Sequence, residues 1–198
     1  ANTASNTHYL TCTGTTTLDI DEVQIYEVTP GCVAADSLAH DGWRKEGSSS
    51  YPDIYREHWG SNDGDGDDDD TTKSGSFYSL KILATESHSD SRVDTPLNAK
   101  QNDSDWYTRF AGRTVTMGAW AKTDTASTAR LGIKQTSGTT YSSYHTGGNT
   151  WEWLEVTIAI ASNSTTFSVE LHCEVDTKIT YYSQPMLVFG NSIGSGNY

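Results

Sequence analysis

Between His58 and Gly75 the chain reads HWGSNDGDGDDDDTTKSG, with six aspartates in the eight positions from Asp63 to Asp70. Hard cations are held by chemistry of this kind, since calcium takes about six to eight oxygen ligands from carboxylates and carbonyls around a tight glycine turn. Asp63, Asp65 and Asp67 are the candidate ligands. Aligned with a calcium-loop pattern, Ser61, Asp63, Asp65 and Gly66 fall in register, but Ser61 replaces the first aspartate and Thr72 replaces the closing glutamate. The run therefore has three readings: a solvated loop, which is the usual fate of a charge run, a calcium site, or a segment that docks a partner.

Catalytic chemistry finds less support. Six histidines include no H-E-x-x-H, and Cys12, Cys32 and Cys173 are too few and too scattered for a zinc site; free buried thiols are expected, with one disulfide as the alternative. Glu170 and Glu174 sit on one strand, where backbone rise alone would put them roughly 13 Å apart. Glycosidase carboxyls stand about 5 to 9.5 Å apart. A literal G-x-S-x-G at Gly190 to Gly194 has too little chain after it for the helix and histidine of a nucleophile elbow, and reads as a turn. Two glycosylation-type sequons, at Asn102 and Asn163, mark surface turns. The expectation is a protein that is not an enzyme, with polysaccharide degradation a distant alternative.

Thirteen Lys and Arg face 26 Asp and Glu in 198 residues, a formal charge of −13. A nucleic acid would be repelled over most of such a surface. No window is long and apolar enough for a helical membrane span, and the first residues lack the pattern of a signal peptide.

The elements that must carry these residues read as β-strands. Apolar positions recur at period two rather than at helical spacing. TVTMGAWAKT sets Val115, Met117, Ala119 and Ala121 against Thr116, Trp120 and Lys122; WLEVTIAIA sets Leu154, Val156, Ile158 and Ile160 against Trp153, Glu155 and Thr157. FSVELHCEV sets Phe167, Val169, Leu171, Cys173 and Val175 against Ser168, Glu170, His172 and Glu174. Further strands are expected in TLDIDEVQIYEV, PDIYREHW, FYSLKILA, ARLGIKQ and ITYYSQPMLVFG, with turns at TPG, SGTT, HTGGN and ASNSTT. The expected fold is all-β with few or no helices: a two-sheet antiparallel β-sandwich of the jelly-roll kind, with an up-and-down barrel as the alternative. Weak likeness between the two ends suggests that residues 1–26 close a preceding module and that residues 27–198 form the domain.

In order, DGWRK (Asp41 to Lys45), SGSFYSLKI, FAGRTVTMGAWAKT, YHTGGNTWEWLEVTI and PMLVFG resemble the jelly-roll carbohydrate-binding modules. TVTMGAWAKT, GNTWEWLEVTI and PMLVFGNSIGSGNY look like the versions in bacteriophage tail fibres and other virion appendages. The resemblance covers roughly residues 27–198 and implies a non-catalytic module on the virion surface, and hence extracellular. Its expected partner is a bacterial surface glycan or another virion protein, and it is expected to be a homo-oligomer. Sugar recognition wants flat aromatic faces beside polar groups. With the strands paired as in that family, Trp120, Trp153, Lys134, Glu170 and His172 point away from the interior, and Tyr144 and His145 join them from the TTYSSYHTGG loop, with Tyr141 near its rim. Trp43 and Trp151 would be structural. Calcium is the one cofactor implied, at the acidic run or near Glu27 by family position. A purely structural role, capsid decoration or fibre assembly, would use the same aromatics as an interface.

Overall fold

In a computed structural model of the chain, the residues described are 44–46, 52–58, 71–76, 78–85, 91–96 and 110–195. The acidic run, Glu27, Trp43, residues 1–26, Cys12 and Cys32 lie outside them. Ten strands follow in order: β1 (Arg44–Glu46), β2 (Asp53–His58), β3 (Tyr78–Leu83), β4 (Ser91–Pro96), β5 (Thr114–Lys122), β6 (Ala129–Gln135), β7 (Gly138–Tyr141), β8 (Glu152–Ala159), β9 (Phe167–Cys173) and β10 (Ile179–Phe189). No helix occurs among the described residues.

All pairings are antiparallel. They build two five-stranded sheets, a front sheet in the order β1-β4-β9-β6-β7 and a back sheet in the order β2-β3-β10-β5-β8. Sequence neighbours are seldom sheet neighbours, so the chain crosses repeatedly between layers, as in a jelly roll, and the two-sheet sandwich is the fold. Period-two alternation explains the core. Val115, Met117, Ala119 and Ala121 of β5 face Leu131 and Ile133 of β6 and Phe167, Val169 and Leu171 of β9, all nearly inaccessible to water. Removing such apolar area from water is the main force holding the layers together.

Three strands escape the sequence pattern. β1 and β4 are short and polar, and β7 occupies part of the SGTT expected as a turn. Gln135 pairs with Gly138, so the reversal falls at Thr136 and Ser137, one step earlier. The long β10 shifts register between Ser183 and Met186. Its irregularity has a chemical cause: Pro185 has no N–H for the ladder, and Gln184 adopts a φ of 53°.

Tyr182 joins the layers. It comes from the back sheet, and its buried hydroxyl shares one hydrogen between the carbonyls of His172, at 2.6 Å, and Arg130, at 3.0 Å, on the front sheet. Complete burial drives its ionisation well above the usual tyrosine range. Replacing Tyr182 with Phe removes the donor and keeps the ring. The expected result is a loss of about 1–3 kcal/mol in urea unfolding, and an unchanged unfolding midpoint would show that the hydroxyl contributes nothing.

Candidate functional site

The residues expected to form one platform lie on opposite sides of the sandwich. Trp120 and Trp153 pair across β5 and β8 on the outer face of the back sheet. Lys134, Glu170 and His172 belong to the outer face of the front sheet, on β6 and β9. They do point away from the interior between the sheets, as the alternation requires, but sheet membership separates them.

On the back sheet both tryptophans are half-buried and make their ring contacts within the chain. Their rings meet edge to face at 5.7 Å between centroids, and the Lys73 ammonium stands 4.4 Å from the Trp120 centroid. Trp153 lies flat over Gly118, where even a methyl group would collide with its ring. Its indole N–H donates to Glu155 Oε2 at 3.1 Å. The same oxygen accepts the backbone N–H groups of Ile193 and Gly194 at 3.1 and 2.8 Å. The G-x-S-x-G segment is therefore a turn clamped on a carboxylate. Burial pushes the Glu155 carboxyl up, but the donors from Gly194, Trp153 and Ser192 outweigh it and hold it below the usual glutamate range.

His145 serves the same structural purpose in its own loop. The side chain is buried at 1% exposure, Nδ1 accepts the Gly147 N–H at 2.8 Å, and Nε2 then carries the hydrogen donated to the Thr150 carbonyl at 2.9 Å. Glu152 closes the loop by accepting both the N–H and the hydroxyl of Thr146 at 2.9 Å. With both ring nitrogens engaged inside the loop, His145 is not at the rim of an open platform.

The front sheet carries the denser chemistry. His172 pairs with Arg92 on one side and Arg130 on the other, while Glu170 pairs with Asp94 and Gly132, and Gly132 with Tyr141. Cross-strand partners share a face, so these side chains form one patch. His172 Nε2 stands 2.9 Å from Glu170 Oε2 and Nδ1 stands 3.2 Å from Glu174 Oε1. Arg92 Nε lies 3.6 Å from the other Glu170 oxygen. Arg130 contacts Glu174 Oε1 at 2.6 Å from Nε and Nη2, and the Tyr144 hydroxyl donates to Glu174 Oε2 at 2.5 Å. Room for this comes from Gly132: a Cβ there would stand 3.0 Å from Glu170 Oε2 and 3.2 Å from His172 Nε2.

Glu170 and His172 are not the solvated outward groups that alternation suggests, being 2% and 0% exposed. Nor are Glu170 and Glu174 set apart by the backbone rise, because both lean onto the same imidazole. Glu174 lacks the environment of a general acid. Burial pushes the Glu174 carboxyl up, yet the hydrogen bonds from His172, Tyr144 and Arg130 prevail and keep it below the ordinary glutamate value, the reverse of what a general acid requires.

Above this bed lie the exposed aromatics. The Arg130 guanidinium is 3.5 Å from the Tyr141 ring centroid and 4.8 Å from that of Tyr144, and Tyr141 meets His172 edge-on at 5.3 Å. The rings remain 38% and 37% exposed. Lys134 is half-buried farther along β6, across from Thr139. Arg92, Arg130 and Gly132 were not singled out from sequence; only their outward phase on β4 and β6 marks them, and the register that brings them to His172 is not a local property of the chain. The described residues hold no group of three or more His, Cys, Asp or Glu able to bind a metal. Cys173 is a free, buried thiol pushed up to about 11 by burial.

Solved carbohydrate-binding modules share this architecture. The CBM22-1 xylan-binding domain of Paenibacillus barcinonensis Xyn10C aligns with a TM-score of 0.52 at 8% identity, over 80% of this chain and 92% of that one. A xylan-binding domain from CBM 22 aligns with a TM-score of 0.51 at 14% identity, over 76% and 88%. The CBM22-1-GH10 modules of Clostridium thermocellum endo-1,4-β-D-xylanase 10B, complexed with xylohexaose, align at 0.52 and 8% identity over 76% of this chain, which spans only 26% of that one. At these identities the likeness is one of fold. No protein-family model and no curated protein matches the chain.

The carboxylates on both faces dictate an acid response. Glu155 and Glu174 are depressed in the folded protein, so below the ordinary glutamate value of 4.5 the unfolded chain takes up protons first. Their contribution is complete above that pH and is lost as pH falls through the depressed folded values. Urea midpoints should stay level from neutrality to about pH 5 and then fall. Glu174→Gln should lower the neutral midpoint and flatten the acid limb; an unaltered acid limb would remove Glu174 from this role.

Proposed function

We propose that the chain is a non-catalytic glycan-binding module whose ligand lies on the outer face of the front sheet, across Tyr141, Tyr144 and Arg130. One observation carries the reading: two exposed tyrosine rings flank a guanidinium locked by Glu174, giving aromatic surface for sugar C–H faces beside fixed donors for hydroxyls. Lys134 extends the polar border. Glu170 and His172 act beneath the surface by holding Arg92 and Glu174 in place. Trp120 and Trp153, on the other face, belong to a second reading in which that side packs against another subunit or virion protein.

The module would be part of a tail fibre or similar virion appendage, on the virion surface and extracellular, homo-oligomeric, with a bacterial surface polysaccharide as its ligand. Support for that setting comes from the wording of TVTMGAWAKT, GNTWEWLEVTI and PMLVFGNSIGSGNY. Xylan, bound by the structural neighbours, is a natural first probe, followed by bacterial capsular polysaccharides. In affinity electrophoresis at least one should retard the protein, and Tyr141→Ala and Tyr144→Ala should each weaken retention about tenfold. Retention that survives the double substitution would move the site elsewhere, and its absence with every polysaccharide would favour the purely structural role.

Calcium at Asp63, Asp65 and Asp67, with Glu27 as an alternative ligand, completes the proposal, supported by the carboxylate density of the run. A bound cation stabilises the state that binds it. The melting temperature should rise with millimolar calcium and fall with chelator, and Asp63→Asn with Asp65→Asn should abolish the difference. A melt indifferent to both would leave a solvated loop.

A further inference from the structure

The outer face of the back sheet is more enclosed than a two-layer sandwich requires. Alternation turns Val115, Met117, Ala119 and Ala121 into the core, so Trp120 and Lys122 of β5 face outward. The register then sets Tyr55, Lys81, Tyr181 and Lys122 side by side across β2, β3, β10 and β5. Neither sheet covers this row. Tyr55 at its edge is 45% exposed, yet Tyr181 and Lys122 are only 7% and 4% exposed. Two ammonium groups flank the Tyr181 ring, with Lys81 Nζ at 5.6 Å and Lys122 Nζ at 6.0 Å from its centroid. Lys81 also pairs with Glu57 at 3.3 Å, and Lys73 adds a third ammonium on the same face, over Trp120. An ammonium held out of water needs negative charge beside it.

Part of the cover is the segment 71–76. Thr71 and Thr72 are buried, the Thr71 carbonyl accepts the Ser79 hydroxyl at 2.5 Å, and a Cβ on Gly75 would stand 3.8 Å from Gln184 Nε2. The segment therefore lies across β3 and β10 and reaches Trp120 with Lys73. Lys81 is two residues along β3 from Ser79, and Lys122 two residues along β5 from Trp120, so the lysine row is the next outward row beyond this crossing. The chain that precedes Thr71 is the acidic run, and four consecutive aspartates, Asp67 to Asp70, lead directly into the anchored threonine. Residues 59–70 connect His58, which pairs with Tyr78, to Thr71, which bonds Ser79. Both ends thus leave from neighbouring positions of β3. Twelve residues allow an excursion of roughly 20 Å out and back, whereas β5 lies only about 10 Å from β3 across β10.

We propose that the outer face of the back sheet is a docking surface for the chain's own acidic run, with Asp68, Asp69 and Asp70 seated on Lys81 and Lys122 around Tyr181. The partner that the run docks is thus intramolecular. Opposite charge supplies the attraction, and the low exposure of both lysines makes it stronger than an ion pair in open solvent. An external polyanion would meet a face whose lysines are already matched. Asp63, Asp65 and Asp67, farther from the anchor, remain for a cation, and the inference does not depend on the glycan reading.

Carbodiimide coupling of the full chain joins carboxylates to amines that touch, with no spacer between them, and peptide mass spectrometry reads the pairs. Glu57 with Lys81 and Asp124 with Lys178, at 3.3 and 3.0 Å, are internal controls. A peptide containing Asp68 to Asp70 should be joined to Lys81 or Lys122, and in a mixture of ¹⁴N and ¹⁵N chains the link should stay within one label. Control links without it, or a link that crosses labels, would overturn the proposal. Asp63→Asn with Asp65→Asn should leave the link intact, which separates this inference from the calcium site; a link lost with those two residues would move the contact out of the 68–70 stretch and overturn the assignment. Asp68→Asn, Asp69→Asn and Asp70→Asn together should make Lys122 react about tenfold faster with an acetylating reagent, while Lys134 on the other sheet keeps its rate. An unchanged Lys122 rate in a chain with a native-like spectrum would show that the cover comes from elsewhere, and the inference would fall.

Discussion

A carboxylate taken out of water must meet positive charge or several donors, and much of the front sheet is organised around that requirement at Glu170. β9 lies in the middle of its sheet, with apolar residues filling the inner side and Glu170 and His172 buried on the outer one. Removing their hydration is costly, and a buried ionic group is stable only when its oxygens and hydrogens are matched. Arg92 from β4 answers Glu170, Glu174 answers the far nitrogen of His172, and Arg130 answers Glu174. The tyrosines follow: Tyr144 donates to Glu174, and Tyr141 stacks on Arg130. An apolar outer face would fill the same space at lower electrostatic cost. What the charged arrangement gives instead is a rigid donor set beneath exposed rings.

The back sheet uses the same physical rules for closure. Glu155 collects an indole N–H and two backbone N–H groups on one oxygen, drawing the 191–194 segment over β8. The missing side chain of Gly118 lets Trp153 lie flat, as the missing side chain of Gly132 admits Glu170 and His172 on the other sheet. Two glycines in similar strands thus serve different purposes, one for a packed indole and one for a buried ion pair.

Much of this was legible in the sequence, and the failures have definite causes. Alternation assigned the inner residues of β5, β8 and β9 because a one-residue phase error would place charged groups in the core. β4 and β7 were missed because Arg92, Asp94, Thr139 and Thr140 carry no apolar alternation to read. Trp120, Trp153, Glu170 and His172 all point away from the core, as expected, yet phase says nothing about which sheet a strand joins. The roughly 13 Å separation of Glu170 and Glu174 was a statement about backbone rise. Side chains that converge on one imidazole override it. His145 lies in a loop whose turn is built around its ring, a use that a lone histidine in a sequence does not announce.

On the proposed glycan-binding reading, charge narrows the kind of glycan that the front sheet would hold. The chain carries a formal charge of −13 with only 13 basic residues, and several of those on the described faces are engaged: Arg130 with Glu174, Arg92 near Glu170, Lys178 with Asp124, Lys73 on Trp120. An acidic polysaccharide would approach against the field of the whole protein and find Arg92, Arg130 and Lys178 each beside a carboxylate. A neutral one feels neither penalty, and gains most where the protein offers ring faces beside hydrogen-bond donors held by their neighbours. The front sheet has that composition, so the proposed ligand preference would follow from the same buried carboxylates that fix the geometry of the face.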